Sequence, residues 1–197
     1  LKPDGIEELT IAQHPLIPVY DINGGYAGPT QGLGDKPNPV RLLNQQKDNR
    51  LNQWRIFGNI FMEVEPIKNF ILKSNFGLNY RNEVLSNFEP RWSEGTSRVV
   101  DKNVLYAKSA YDREWIWSNT AAYNFTIDRH SINMFAGMEA KETIYEFIDA
   151  QREDYLLESL DYRYLSAGEG TQTNGGLKDR TTLVSYFGKL NYAYNDR

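Results

Sequence analysis

The chain has 197 residues, enough for one ordinary domain or a piece of something larger, and a formal net charge of -4 with acidic and basic residues mixed along it. That mixture leaves no basic stripe for nucleic acid, and the lack of cysteine excludes a disulfide framework, a thiolate metal site and a cysteine nucleophile. Mean hydropathy is -0.61 despite 13 Tyr, 9 Phe and 4 Trp, and no apolar run reaches the roughly 18 residues of a spanning helix. A barrel strand is not excluded, because it needs an apolar residue only at every second position.

Residues 1 to about 50 hold most of the proline and much of the glycine, in HPLIPVYDINGGYAGPTQGLGDKPNP, and read as a long loop. Tyr20 and Asp21 lead into Asn23-Gly24, a pair suited to a tight turn. Asp21, Asn23 and Gly25 faintly suggest a calcium loop, but no acidic residue follows at the spacing such a loop requires, and the turn reading is preferred. The sequence opens with Leu1 rather than Met and carries no charged region followed by an apolar one, so any signal peptide is expected outside it.

Gln53 to Asn82 carries the clearest pattern. Trp54, Ile56, Gly58, Ile60, Met62 and Val64 alternate with Arg55, Asn59, Glu63 and Glu65. After Pro66, Ile67, Lys68 and Asn69 the alternation resumes, with Phe70, Leu72, Phe76, Leu78 and Tyr80 against Lys73, Asn75, Asn79 and Arg81. Period two is the mark of a strand, and two strands of about 13 residues with so short a connection predict an antiparallel hairpin. Such strands exceed the five or six residues usual in soluble domains and match the roughly 9 to 11 of a membrane-crossing strand.

A polar stretch from Glu83 to about Asp112 predicts a second long loop, with a short strand around VLYAKSAY. From Glu114 a second hairpin follows the plan of the first: Trp115, Trp117, Ala121, Tyr123, Phe125 and Ile127, a turn at Asp128, Arg129 and His130, then Ile132, Met134, Ala136, Met138 and Ala140. Glu142 to Arg180 predicts a third long loop. ETIYEFIDAQREDYLLESL is rich in helix formers and predicts one or two short helices; AGEGTQTNGG predicts a flexible segment and no complete phosphate-binding motif. A last strand is expected over Thr181 to Arg197, with Phe187, like Phe57 and Phe61, an aromatic on the otherwise polar face.

No constellation predicts catalysis. His14 and His130 are the only histidines and have no triad partners at a recognisable spacing; Glu63 with Glu65, and Glu153 with Asp154, read as solvated pairs. The chain is therefore expected not to be an enzyme and to need no cofactor and no metal.

PLIPVYDINGGYAG, then NPVRLLNQQKDN with RIFGNIFMEVEPIKNFILKSNFGLNY, then WSNTAAYNFTIDRHSINMFAGMEA and SYFGKLNYAYNDR, together resemble the barrel of the SusC/RagA class of TonB-dependent outer-membrane transporters. The resemblance covers nearly the whole chain. It implies an all-β fold in which residues 1–197 are part of one antiparallel transmembrane β-barrel domain, about five long strands with short periplasmic turns and long extracellular loops. The family's barrel has 22 strands around a plug, so the plug and the remaining strands are absent here, and an open set of five strands is not expected to work alone. The implied function is outer-membrane uptake of glycan or peptide, energised by the TonB complex through regions absent from this chain and paired with a SusD-like surface lipoprotein. Tyr20, Tyr26 and Trp92 are the candidate ligand-binding residues, as loop aromatics able to stack on sugars or grip peptides. The alternatives are a soluble all-β carbohydrate-binding module, with similar aromatic ridges, and an eight-stranded lipocalin-like carrier, which needs more short strands and fewer long loops.

Overall fold

The computed structural model describes residues 5–30, 32–96 and 98–195. Helices α1 (Ile6–Ala12) and α2 (Pro39–Gln46) come first, followed by strands β1 (Arg50–Ile67) and β2 (Phe70–Glu89). A short pair follows, β3 (Trp92–Glu94) and β4 (Arg98–Val100), with Trp92 opposite Val100. Then come β5 (Val104–Ile127), β6 (His130–Glu153), 3-10 turns at Leu160–Tyr162 and Leu165–Ala167, and β7 (Gln172–Tyr194). The five long strands form one antiparallel sheet in the order β1-β2-β5-β6-β7, so the all-β expectation and the two long hairpins hold. Among the described residues no helix is long and apolar enough to cross a membrane.

The strands run further than the alternation shows, to 18, 20, 24, 24 and 23 residues. Glu83 to Glu89 belongs to β2 and Val104 to Asp112 to β5, so the second predicted loop shrinks to residues 90–103. The helices predicted in the third loop are also overturned: Glu142 to Glu153 is the second half of β6. Helix-forming composition lost to sheet pairing there, and period two survives in the detail. Glu142 and Ile144 are both buried, while the Tyr145 and Phe147 rings lie 5.8 Å apart, two residues from one another. The predicted flexible stretch is packed as well. Arg152 Nε donates to the Gly168 carbonyl at 2.7 Å, a Cβ on Gly168 would stand 2.7 Å from the Glu153 carbonyl oxygen, and β7 begins at Gln172, nine residues before the expected start at Thr181. The last two residues of the expected final strand, Asp196 and Arg197, lie outside the described residues, as does Leu1.

The turns of both hairpins use residues that tolerate a left-handed backbone. Asn69 has φ 67° and Asp128 has φ 54°, a conformation that Asn and Asp adopt at low cost. Asn69 N–H also donates to Glu65 Oε1 at 2.6 Å, which gives Glu65 a turn-holding role.

Two compact units divide the chain. The first comprises Leu1–Asn52, Glu83–Ser109 and Ile148–Gly176. Its core is Phe88, Leu105 and Tyr155 with Ala167 against them; the Phe88 and Tyr155 rings meet edge to face at 5.4 Å. Asn103, buried, receives the Tyr155 N–H at 2.6 Å on Oδ1 and donates from Nδ2 to the Tyr155 carbonyl at 2.9 Å and to Glu158 Oε1 at 2.7 Å. The third loop is thereby tied down at its first residues. Lys102 is exposed and donates to Glu153 Oε2 at 3.2 Å, which raises its pKa above the usual lysine value.

The Tyr155 hydroxyl is buried without a hydrogen-bond partner, and burial pushes its pKa up. A raised tyrosine pKa lends stability below the unfolded value near pH 10 and loses it as pH rises through the folded value. Tyr155→Phe should therefore keep stability at neutral pH or raise it by about 1 kcal/mol, since an unsatisfied buried hydroxyl costs at least that. It should also reduce the alkaline loss of stability expected of the parent. Fluorescence-monitored melts at pH 7 and above pH 10 test both; a variant melting well below the parent at pH 7 refutes the unpartnered hydroxyl.

The second unit comprises Gln53–Asn82, Ala110–Phe147 and Leu177–Arg197, and is a stretch of sheet with two unlike faces. One carries Ile60, Met62, Phe76, Trp117, Met134, Val184 and Leu190, all exposed, Ile60 to 76% and Leu190 to 67%. Aromatic contacts border it on two sides. Towards the long loops stand Trp54 with Tyr80 (5.5 Å), Tyr80 with Tyr111 (6.1 Å) and Phe76 with Trp115 (6.3 Å). Towards the two-residue turns stand Phe70 with Tyr123 (5.9 Å), and His130 between Tyr192 and Tyr194 (5.8 and 5.1 Å) with its Nδ1 2.7 Å from the Tyr192 hydroxyl.

On the other face, Phe187 stacks on Phe135 at 5.8 Å and covers Gly137, where a Cβ would stand 2.6 Å from two Phe187 ring atoms and 3.1 Å from the Asn119 carbonyl oxygen. The ring fills the place of a missing side chain. Gly137→Ala should cost roughly 1–3 kcal/mol as an overpacking change, and much less in a Phe187→Ala background. A double-mutant cycle on unfolding measures this; additive effects would show that the ring and the glycine are independent.

Candidate functional site

In the first unit the predicted loop aromatics gather around one buried carboxylate. NPVRLLNQQ supplies both helix-start signals, an Asn cap and Pro at the first helical position, so α2 forms inside the expected long loop. Asn38 Oδ1 accepts from Val40 N–H at 3.1 Å and Arg41 N–H at 3.3 Å. Its Nδ2 donates to the carbonyls of Val19 (2.8 Å) and Ala27 (3.2 Å), which gathers in both arms of the turn between them. In that turn Asp21 Oδ1 accepts from the N–H groups of Asn23 and Gly25, each at 2.8 Å, and Tyr20 stacks on Tyr26 at 5.7 Å. Asp21 thus serves the turn, as its sequence suggests.

Glu94, fully buried, is the hub. Its Oε1 accepts from Asn38 N–H at 2.7 Å and pairs with Arg41 Nε, while Arg98 Nη1 stands 3.7 Å from Oε2. The Arg41 guanidinium also lies 3.7 Å from the centre of the Trp92 ring. Tyr26 bridges to Glu94 through the backbone, with Gly95 N–H donating to the Tyr26 carbonyl at 3.1 Å, and its hydroxyl accepts from Asn44 Nδ2 at 2.8 Å. Gly28 is obligatory at this crossing, since a Cβ there would stand 2.2 Å from the Glu94 carbonyl oxygen. The structure therefore brings Tyr20, Tyr26 and Trp92 into one cluster. Tyr26 and Trp92 are half-buried and anchor the loop, whereas Tyr20 is 53% exposed and presents a ring to solvent.

The polar face of the second unit is a ladder of matched side chains. Arg55 Nε donates to Asn79 Oδ1 at 2.7 Å, Asn59 Nδ2 to Asn75 Oδ1 at 2.8 Å and Arg81 Nε to Asp112 Oδ2 at 2.7 Å. Lys141 Nζ stands 2.7 Å from Glu114 Oε2, and Lys73 Nζ 3.5 Å from Glu63 Oε2 while lying 4.6 Å over the Phe61 ring. Arg55, Asn79, Arg81, Asp112, Glu114 and Thr143 line one shallow depression. Such a surface offers donors and acceptors to hydroxyl or amide groups. The sequence places Arg55, Asn59, Asn75, Asn79 and Arg81 on the polar side of the first hairpin but reads Asp112 and Thr143 as loop; which of them pair follows from strand register, which alternation alone does not give.

No family model matches the chain. It is 24% identical over 193 residues, 95% of its length, to TonB-dependent receptor P26 of Formosa agariphila, and 24% identical over 182 residues to TonB-dependent receptor P3 of the same organism. The chain spans 19% and 18% of those relatives, about a fifth of each. In fold it is similar to a solved structure of the RagAB peptide transporter, with a TM-score of 0.70 at 22% identity over 90% of this chain and 20% of that one. The chain is thus similar in sequence to TonB-dependent receptors along nearly its whole length, and similar in fold to a stretch of a RagAB transporter chain, the class that its motifs resemble.

Proposed function

We propose that residues 1–197 form part of the wall of one outer-membrane β-barrel domain that imports nutrients with energy from TonB, the plug and the other strands lying elsewhere in a longer protein. The observation that carries this reading is the apolar face of the second unit, bounded by aromatic contacts on both sides. From Trp115 to Ile127 along β5 the rise is about 40 Å, or about 30 Å at a tilt near 40°, close to a bilayer's hydrocarbon thickness. A soluble carbohydrate-binding module is disfavoured, because so many large apolar side chains on one face would stay in water.

In this reading the polar ladder faces the lumen, the two-residue turns face the periplasm and the long loops face outward. The cargo is a glycan or a peptide; a relative in fold is a peptide transporter, which supports the second without deciding it. Tyr20 is the residue of the loop cluster with open ring surface for stacking on cargo, with Tyr26 and Trp92 setting its position. A SusD-like lipoprotein is the proposed partner over the outward loops, and no chemical step is assigned to the chain. Fractionating cells that make the full protein tests the reading. Recovery in the outer membrane, extracted only by detergent, with loss of labelled oligosaccharide or oligopeptide uptake on gene deletion, is expected. Recovery in the aqueous fraction refutes it.

A further inference from the structure

We propose that the apolar face ends, on the side of the long loops, in a seat for the phosphate of a lipid headgroup, built from Arg113, Lys178 and Arg180. The inference rests on the membrane orientation argued above. Arg113 lies on the same face as Trp115 and Tyr111, two residues from each, and Lys178 and Arg180 stand two residues apart on β7. Two carboxylates of β6 lie between them. Glu142 Oε1 accepts from Arg113 Nη2 at 3.3 Å and from Trp115 Nε1 at 3.1 Å, and Arg180 Nη2 pairs with its Oε2. Glu146 Oε2 accepts from the Tyr111 hydroxyl at 2.7 Å and from Lys178 Nζ at 3.0 Å.

Exposure separates the two signs. The Glu142 side chain is 7% exposed and that of Glu146 32%, whereas Arg113 is 46% and both Arg180 and Lys178 are 62% exposed. The cations are the more exposed groups, three positive charges to two negative ones, and buried Glu142 holds Arg113 and Arg180 from beneath. Each guanidinium has five N–H donors and the ammonium three, so the pairs above leave donors for a second anion.

Position decides which anion. The Trp115 indole donates to Glu142, so the cations begin where the apolar surface stops, at the depth of a headgroup layer. A strand paired to the open edge of β7 would lie beside these side chains in the plane of the sheet and leave their face open. A phosphate carried on acyl chains satisfies both halves of this surface at once, the chains against Trp117, Leu190 and their neighbours and the phosphate against the cations. A free phosphate satisfies only one.

The test uses the full-length protein, purified in detergent and mixed with vesicles of neutral phospholipid containing a minor fraction of a phosphorylated glycolipid, or the same glycolipid dephosphorylated. Retained glycolipid per protein is read by native mass spectrometry. The parent is expected to retain the phosphorylated form selectively. Lys178→Gln with Arg180→Gln should weaken retention about fivefold per cation and about 30-fold for the pair, the usual effect of a basic side chain at an anionic headgroup layer. Lys178→Arg alone should keep it, and Lys73→Gln on the polar face should not change it. Equal retention of both glycolipids, equal retention by the double variant, or displacement by millimolar inorganic phosphate each overturns the proposal. Membrane location and uptake are measured in the same strains; if both persist while selective retention is absent, the lipid seat fails and the transporter reading stands.

Discussion

Glu94→Ala should release the first loop from β3 and β4 while leaving the long strands paired. Removing one member of a buried ion pair typically costs about 3–5 kcal/mol, because the partner's charge stays behind unpaired. Arg41 is 4% exposed at its side chain and Glu94 0%, so this pair falls in that class. The Asn38 backbone N–H would lose its carboxylate acceptor at the same stroke, and the Val19 and Ala27 carbonyls that Asn38 gathers would loosen with it. Limited proteolysis should then cut between residues 17 and 46 many times faster than in the parent, with Tyr20 losing its stack on Tyr26. Cleavage at the parental rate would mean that Glu94 is not the hub described here.

A positive charge in the middle of the apolar face should be as damaging for a different reason. Ile60→Arg and Leu190→Arg each place a guanidinium where lipid is expected, at a cost of about 2–4 kcal/mol for a barrel strand near the bilayer midplane. Asn59→Arg, one residue along β1 and on the opposite face, should be tolerated, since Asn59 already faces Asn75 among polar side chains. Assembled barrel recovered from outer membranes, scored by its altered gel mobility before heating, separates the two cases. Equal recovery of Ile60→Arg and Asn59→Arg would remove the argument from alternation on which the membrane reading is built.

The halves of the strands that carry the apolar face are legible in the sequence because every second residue of IFGNIFMEV or NMFAGMEA is apolar or small, the demand that lipid would impose in the proposed orientation. Beyond that depth the demand lapses. Glu83 to Glu89 and Val104 to Asp112 continue the same strands with mixed faces, and so read as loop. Glu142 to Glu153 misled further, since its glutamates and alanine favour a helix locally while Glu142 answers to Arg113 and Arg180 on neighbouring strands. The aromatic candidates were legible as residues but not as a cluster. Nothing in the order Tyr20, Tyr26, Trp92 places them around Glu94; that follows from Asn38 and Arg41, whose cap signal in NPVR was present but unweighted beside the surrounding glycines and prolines.

The sheet order β1-β2-β5-β6-β7 has each long strand beside its nearest long neighbours in sequence, with no crossover. Assembly can therefore proceed as a zipper, each hairpin docking on the growing edge left by the one before, with loop closures kept short. A defect at the Lys68–Asn69 turn would then stall the pairing of β1 with β2, whereas one at Asp128–Arg129 would leave β1 and β2 already joined and waiting for a partner. Pulse-labelled intermediates from the two turn variants should accordingly differ in which strands have become protected.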